Sequence, residues 1–300
     1  MQKILILVNR TYSNKNSFYD GLRKMLPVDV GIDIAYFEDI IVDVEEKNVS
    51  IYINNKDILD YDIVYFRRTG GTFLRLAATI AVYLDSKNKV FFDSAYKDVG
   101  PAGAKLTAFV KLAVNGLPVI PSIYCYTESI INNSRMIIEK LGLPLVAKDL
   151  HSQRGLGVSL VKNEKDFEKL SSDTPLKNFM FQKFINKKEE FRVLVLGDKV
   201  GSYESKKSTD PDEFRNNVCL GAKENFIDID KIADDVKSIS IKSAKTLGIE
   251  IAGVDIVIDD CGKVWVLEVN RGPGFTYKSK KSSEVLNIAN FFVKELEKIR

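Results

Sequence analysis

IAGVDIVIDDCGKVWVLEVNRGPGFTY, residues 251–277, is the stretch from which the rest of the chain is best understood. It predicts two strands joined by a tight turn at Asp259, Asp260, Cys261 and Gly262. The flanks are β-branched or aromatic, and the turn holds Asp and Gly. Side chains alternate faces along a strand, so Glu268 and Asn270 are expected beside Val264 and Val266. Trp265, Leu267 and Val269 are then expected to face the core. Pairing Ile258 with Lys263 would set Asp255 opposite Val266 and diagonal to Glu268, about 7–8 Å away. Two carboxylates and an amide oxygen thereby share one patch. Adjacent acids call for a cation, and an all-oxygen set suits Mg²⁺, which keeps waters and bridges to phosphates. An exposed hairpin with an acidic outer face would account for Glu268 or Asn270 alone. All three on one face, running into Arg271-Gly272-Pro273-Gly274-Phe275, favour the metal.

A chain of 300 residues is long enough for two or three lobes with a sizeable core. Its 45% hydrophobic and 28% charged residues are those of an ordinary globular protein. A net charge of +3 is too small to argue for nucleic acid or a membrane surface as partner, and neither is expected. The opening MQKILILVNR reads as a strand rather than a signal peptide, and no run of about 20 apolar residues occurs. Cys125, Cys219 and Cys261 are odd in number and widely spaced, which suits free thiols in a reducing cytoplasm. The single histidine, His151, excludes zinc sites built on several histidines, and a Ser-His-Asp arrangement would need His151 itself. Chemistry is left to carboxylates, Lys, Arg, backbone amides and a bound metal.

The opening reads as a small α/β domain. Strands are expected at 3–8, 30–37, 62–66 and 90–93, and helices at 18–25 and 72–84. Arg67 and Arg68 follow the strand DIVYF directly; they suit either an anion contact at a strand's carboxyl end or a solvated loop. A boundary is expected near residue 97. Helices are then expected at 105–114, 127–141 (Thr127 as N-cap, Gly142 as C-cap), 231–247 and 282–300. Buried stripes of Ile232, Val236, Ile239, Ala244 and Leu247, and of Leu286, Ile288, Phe292 and Leu296, run along the last two. Strands are expected at 119–123, 143–148, 157–161, 179–185 and 191–196. The polar segment 202–223 is expected to carry function.

Lys148 ends a strand and leads through Asp149, Leu150, His151, Ser152, Gln153, Arg154, Gly155 and Leu156 to Gly157 and a return strand. Glycines let backbone N–H groups approach phosphate oxygens, and Lys148 supplies a positive charge. The loop is neither a Walker A motif nor GxGxxG, and alone it reads first as a plain β-turn. Phe179-Met180-Phe181-Gln182-Lys183-Phe184-Ile185 suits an adenine-binding edge or an ordinary core strand. Glu190-Phe191-Arg192, Lys206-Lys207 and Phe214-Arg215-Asn216-Asn217 place cations where a moving phosphoryl group would need them.

In this order (Lys105, Lys148 with GxG, QKFI, EFR, KK, FRNN, AGVDIV…LEVNRGPGF) the chain resembles the ATP-grasp superfamily, most closely its RimK-type carboxylate–amine ligases. The resemblance covers roughly residues 97–300, and the opening domain resembles a pre-ATP-grasp domain. It implies a mixed α/β (α+β) architecture with ATP held between two lobes: an N-terminal domain at 1–97, a central region with glycine loop and hinge at 98–185, and a metal-bearing lobe at 186–300. It implies that Asp255, Glu268 and Asn270 hold Mg²⁺, as two ions for which Mn²⁺ could substitute. Lys105, Lys148 and the Arg154, Gly155, Leu156, Gly157 amides would meet ATP phosphates. Gln182, Lys183, Phe184 and Ile185 would form the adenine hinge, with Glu190 at the ribose. Arg192, Arg215 and Asn217 would stabilise the transferring phosphoryl group, with Lys206 and Lys207 nearby. His151, Ser152 and Gln153 depart from the small residues usual in that glycine loop. The implied activity is ATP-dependent amide formation through an acyl phosphate, on a small amino acid or peptide; a homo-oligomer is compatible with the superfamily. A peptide maturase forming side-chain ester or amide links, which IVYFRR resembles, and an idle nucleotide-binding module are the rival expectations.

Overall fold

The computed structural model describes residues 2–10, 16–45, 48–54, 56–71, 73–98, 105–125, 130–150, 152, 157–172, 179–208, 222–276 and 282–299. The N-terminal part runs β1 (Gln2–Val8), α1 (Asn16–Met25), β2 (Val30–Tyr36), β3 (Ile40–Glu45), β4 (Asn48–Ile53), β5 (Lys56–Asp57), β6 (Ile63–Phe66), α2 (Leu74–Ser86) and β7 (Val90–Phe92). Strands β2, β1, β6 and β7 form a parallel sheet in that order. The apolar runs of the central strands β1 and β6 are buried on both faces, as a parallel sheet requires. Strands β3–β5 form a separate antiparallel sheet. Its Ile51 and Ile53 join Leu5, Leu7, Val64 and α2 in the core on one side. No motif announced this small sheet, because its apolar residues serve a neighbour distant in sequence.

The chain continues through α3 (Lys105–Val114), β8 (Ser122–Cys125), α4 (Ile130–Leu141), β9 (Leu145–Asp149), β10 (Val158–Val161), α5 (Glu164–Ser172) and β11 (Phe179–Lys183). Strands β10, β9, β11 and β8 form an antiparallel sheet, with α4 and α5 contributing Ile130, Ile137, Leu141 and Phe167 to its core. Helix α5 was not anticipated. Helix α3 lies elsewhere, its Leu112 in the core of the five-stranded sheet that follows, so the segment 98–185 feeds two cores.

The last part holds β12 (Lys187–Leu196), β13 (Lys199–Lys207), β14 (Lys223–Ile227), α6 (Asp234–Leu247), β15 (Ile251–Asp259), β16 (Val264–Arg271) and α7 (Glu284–Glu297). Its five strands are antiparallel in the order β14-β13-β12-β15-β16. One face carries Val193, Val195, Val254, Ile256 and Val266 against α6, whose Val236, Ala244 and Leu247 are buried there as its periodicity predicted. The segment expected as polar from Ser202 is a strand as far as Lys207, and β14 follows it. Helix α7 packs Ile288, Phe292 and Leu296 against Ile4, Ile6 and Val8 of the first sheet. Leu286, expected in that stripe, is exposed. Thr72 and Thr127 lie outside the described residues. Among the described residues, no helix is long and apolar enough to cross a membrane.

The hairpin β15–β16 corrects the expected register twice. Ile258 pairs with Val264, not Lys263. The loop is Asp260-Cys261-Gly262, closed by Asp259 N–H donating to Lys263 O at 3.0 Å, and Gly262 takes φ 81°. A type I turn followed by a left-handed glycine gives this three-residue hairpin loop. The Asp259 carboxylate accepts from Cys261 N, Lys263 N and Trp265 Nε1, which fixes the turn. Further along, Ile256 pairs with Val266 but Asp255 pairs with Glu268, so Leu267 is an extra, bulged residue. The bulge inverts the alternation. Val264, Val266 and Val269 join the apolar layer under α6, while Glu268 and Asn270 lie opposite Asp255 and Gly253 on the other face. Trp265 is therefore not core: it is half-buried, with the Lys263 ammonium 3.9 Å from its ring centroid.

The two ends of the chain are stapled across this hairpin. Asp93 Oδ1 accepts from Ile251 N at 3.1 Å, and Glu250 accepts from Ser94 N and Ser94 Oγ. Arg67 is 1% exposed, far from the solvated loop considered for it. Its guanidinium lies 4.4 Å from the Phe18 ring centroid and 5.0 Å from that of Phe275, and donates to Tyr19 OH at 3.0 Å. Such desolvated cation–π contacts are the strong kind. Phe275 also stacks on Phe18 at 5.0 Å. The exit of β16 is thus clamped to the first domain.

Candidate active site

The face of the five-stranded sheet opposite α6 bears a transverse row of five residues, four of them charged. Cross-strand pairing sets Phe226, Glu204, Arg192, Asp255 and Glu268 side by side on β14, β13, β12, β15 and β16. Asp255 is the hub. Arg192 forks onto it with Nε–Oδ1 and Nη2–Oδ2 both at 2.9 Å, Lys206 Nζ lies 3.2 Å from Oδ1, and Asn270 Nδ2 donates to Oδ2 at 3.0 Å. Burial opposes the charged carboxylate, but Arg192 and then Lys206 outweigh it and hold its pKa down at about 2. A bidentate guanidinium–carboxylate pair is the strongest geometry open to these groups.

Beside this paired acid, Glu268 makes no hydrogen bond or ion pair among the described residues. Directly opposite it in register is Asp255, and two positions on is Asn270, whose donated amide hydrogen leaves its oxygen for another partner. Among the described residues no three His, Cys, Asp or Glu side chains converge as a metal cage; this trio is two carboxylates and one amide. Its donors are all oxygen and one acid lacks a partner, so the set fits a hard divalent cation that keeps waters. Asp255 would have to loosen its hold on Arg192 to join.

The small antiparallel sheet supplies the opposite wall. Lys148 on β9 is half-buried. Burial pulls its ammonium down to about 8; Lys105 adds to the fall, while Glu268, Glu190 and Asp255 resist it. The sequence placed these residues on separate motifs, and the fold brings them into one electrostatic basin. Lys105 Nζ donates to Ser152 O at 2.6 Å and reaches Asp149 O at 3.4 Å. Asp149 N donates to Gly157 O at 2.8 Å, closing the neck of the loop, and Ser152 Oγ donates to Asp149 Oδ2. A Cβ at Gly157 would collide with the Ser152 side chain and lie 2.8 Å from Asp149 Cβ. Overpacking of this kind costs about 1–3 kcal/mol, so Gly157→Ala is expected to weaken ADP binding roughly tenfold, read by calorimetric titration.

The Lys148 ammonium carries its charge below pH 8 and loses it above. ADP affinity is therefore expected to fall about tenfold between pH 7 and pH 9, as the charged fraction does. Lys148→Met should bind weakly at both pH values with no such slope; an unchanged slope in the variant would remove Lys148 from the phosphate site.

Gln182 at the end of β11 is 1% exposed. Its Nε2 donates to Ser122 Oγ at 2.8 Å, and its Oε1 is buried without a partner among the described residues. An orphaned acceptor in a hinge fits the exocyclic amine of an adenine. Phe184 and Ile185 are half-buried beside it, and Lys183 is exposed. Glu190 is buried and paired with Lys187 at 2.8 Å. Lys207 is not brought to the basin: alternation along β13 sends Lys206 inward and leaves Lys207 exposed. Arg154, Gly155, Leu156, Arg215 and Asn217 lie outside the described residues. Glu204 was missed, although the alternation Ser202, Glu204, Lys206 in a strand would have put it on the same face as Lys206.

A model of the RimK-like ATP-grasp domain matches residues 105–296. A probable alpha-L-glutamate ligase 2 of Shewanella frigidimarina (strain NCIMB 400) is 38% identical over 137 residues, 44% of this chain and 44% of the relative. The match thus spans less than half the length of that curated relative. Among solved structures, ATP-grasp ligase PsnB with its minimal precursor gives a TM-score of 0.73 at 18% identity, over 98% of this chain and 99% of that one. D-alanine–D-alanine ligase of Bacillus anthracis complexed with ATP gives 0.70 at 18%, over 100% and 98%. Likeness at such low identity speaks to the fold, which is the mixed α/β ATP-grasp architecture.

Proposed function

The chain belongs to the RimK-like ATP-grasp family, and from that membership we propose that it is an ATP-dependent carboxylate–amine ligase working through an acyl phosphate. The observation that supports this best is that Lys148 of one sheet lies in the field of Glu268, Glu190 and Asp255 of another. A triphosphate with its counter-ion needs cations on one wall and hard anionic donors on the other. Asp255, Glu268 and Asn270 would hold Mg²⁺, two ions in this reading with Mn²⁺ as substitute, and the bound metal neutralises phosphate charge. Gln182 and the hinge would hold adenine, Glu190 the ribose, and Lys105, Lys148 and the loop amides the phosphates.

A substrate carboxylate oxygen attacks the γ-phosphorus, the bond to the β-bridging oxygen breaks, and ADP leaves. An amine lone pair then attacks the acyl carbon, the C–N bond forms, phosphate departs with the C–O electron pair, and the proton lost by the amine ends on the phosphate. Arg192, with Arg215 and Asn217, would offset the charge on the transferring group. No covalent nucleophile is required of the protein, in keeping with one histidine in the chain. Positioning and charge neutralisation do the chemistry. The exposed free thiol of Cys261 suits a reducing compartment, the cytoplasm in this reading.

A screen of amino acids and peptides for ATP-dependent phosphate release, followed by mass spectrometry, tests the proposal. The expected product mass is the sum of two substrates less one water. A chain that binds Mg-ATP yet releases phosphate with none of them would be an idle nucleotide-binding module. The full-length likeness to PsnB solved with a precursor peptide favours a second reading, a peptide maturase. That reading expects release with a peptide bearing Asp or Glu and none with free amino acids.

A further inference from the structure

Glu204 is a buried acid of the basin wall to which the proposed chemistry gives no task. It is 3% exposed and makes no hydrogen bond or ion pair among the described residues. Arg192 stands in direct cross-strand register with two carboxylates, Asp255 on β15 and Glu204 on β13. Directly opposed residues have Cβ atoms about 4.5–5.5 Å apart, within reach of a guanidinium from either side. In this structure the guanidinium forks onto Asp255, and the Lys206 ammonium points to Asp255 as well. Both cations near Glu204 are thus engaged elsewhere. Among the described residues, the other charged groups that act on it are acids, Glu224 on β14 and Glu284 at the start of α7. Burial, and then Glu224, push its carboxyl up to about 8, with Glu284 adding, against the opposing pull of Lys206 and Arg192. At neutral pH Glu204 is a neutral acid beside a cation turned away from it.

We propose that Arg192 has two seats, and that a divalent cation taken up at Asp255 sends the guanidinium across the strand to Glu204, which releases its proton to solvent as Arg192 arrives. This rests on the reading that Asp255 holds the metal of a bound nucleotide. A dication at Asp255 repels the guanidinium, and a partly buried guanidinium without an acceptor is costly. Glu204 is the acceptor in register. Moving one buried cation onto a neutral acid favours ionisation of that acid, so loading leaves the basin with a compensated ion pair and one proton fewer. A neutral Glu204 meanwhile adds no anion to repel the triphosphate before the metal is in place.

Calorimetric titration of the full chain with Mg-ADP at pH 7, in phosphate and in Tris, counts protons through the difference in buffer ionisation heat. The expected result is close to one proton released per site, beyond that of Mg²⁺ and ADP mixed without protein. ADP without magnesium leaves Arg192 on Asp255 and should release none. Glu204→Gln, a near-isostere of the neutral acid, should bind Mg-ADP with no release, and Glu204→Asp should restore it. Binding without proton release in the parent, or equal release in Glu204→Gln, overturns the two-seat arrangement alone. Absence of Mg-ADP binding overturns the ligase reading with it.

Discussion

Glu268→Gln is expected to lower ATP turnover about a thousandfold at saturating substrate while leaving the melting temperature where it was. The activity loss corresponds to roughly 4 kcal/mol of charge stabilisation at the transferring phosphate, the scale on which a metal-ligating carboxylate acts. Stability should hold because Glu268 has no ion pair or hydrogen bond among the described residues and is only half-buried. Asp255→Asn offers the contrast. It should lose as much turnover, and it should also unfold more easily, since Arg192 and Lys206 both point at the Asp255 carboxylate. Removing one partner from such a group costs about 3 kcal/mol. Scanning calorimetry beside a phosphate-release assay separates the two effects. Parental turnover in Glu268→Gln would sink the metal assignment.

Phe275→Ala is expected to destabilise the protein by about 3–5 kcal/mol, the usual range for deleting a buried ring. Phe275 is 7% exposed, stacks on Phe18 and covers the guanidinium of Arg67. The truncation would admit water to a cation that is otherwise sealed. It should also weaken Mg-ADP binding, because the clamp begins five residues after Asn270 and sets where β16 ends. A thermal melt and a Mg-ADP titration read the two consequences. A variant that melts like the parent would mean that the first domain holds β16 by other contacts.

Much of this arrangement could be read from residues alone. The apolar runs of β1 and β6, the stripe of α6, the Asp-Gly turn and the acids of the hairpin are local signals, and each sits in the structure near where it was expected. The errors have one kind of cause. Uninterrupted alternation was assumed through β16, and nothing in VWVLEVNR announces that Leu267 is an extra residue. Arg67 looked like a loop cation because its cage is completed by Phe275, from the opposite end of the chain. Lys207 looked like a twin of Lys206 until a strand turned them to opposite faces. Glu204 went unnoticed because its neighbours Arg192 and Glu224 come from other strands. What was missed depended on pairing between distant segments, which composition and spacing do not carry.

The extra residue at Leu267 divides one strand between two environments. Before it the even-numbered residues Val264 and Val266 meet the oily layer beneath α6; after it the odd-numbered Val269 does, which frees Glu268 and Asn270 for ionic chemistry. Pairing Leu267 in plain alternation instead would exchange the roles, driving Glu268 and Asn270 into hydrocarbon and presenting Val269 to the basin, whereas deleting it would leave both faces as they are. Chemistry here depends on an odd number of residues as much as on which residues they are.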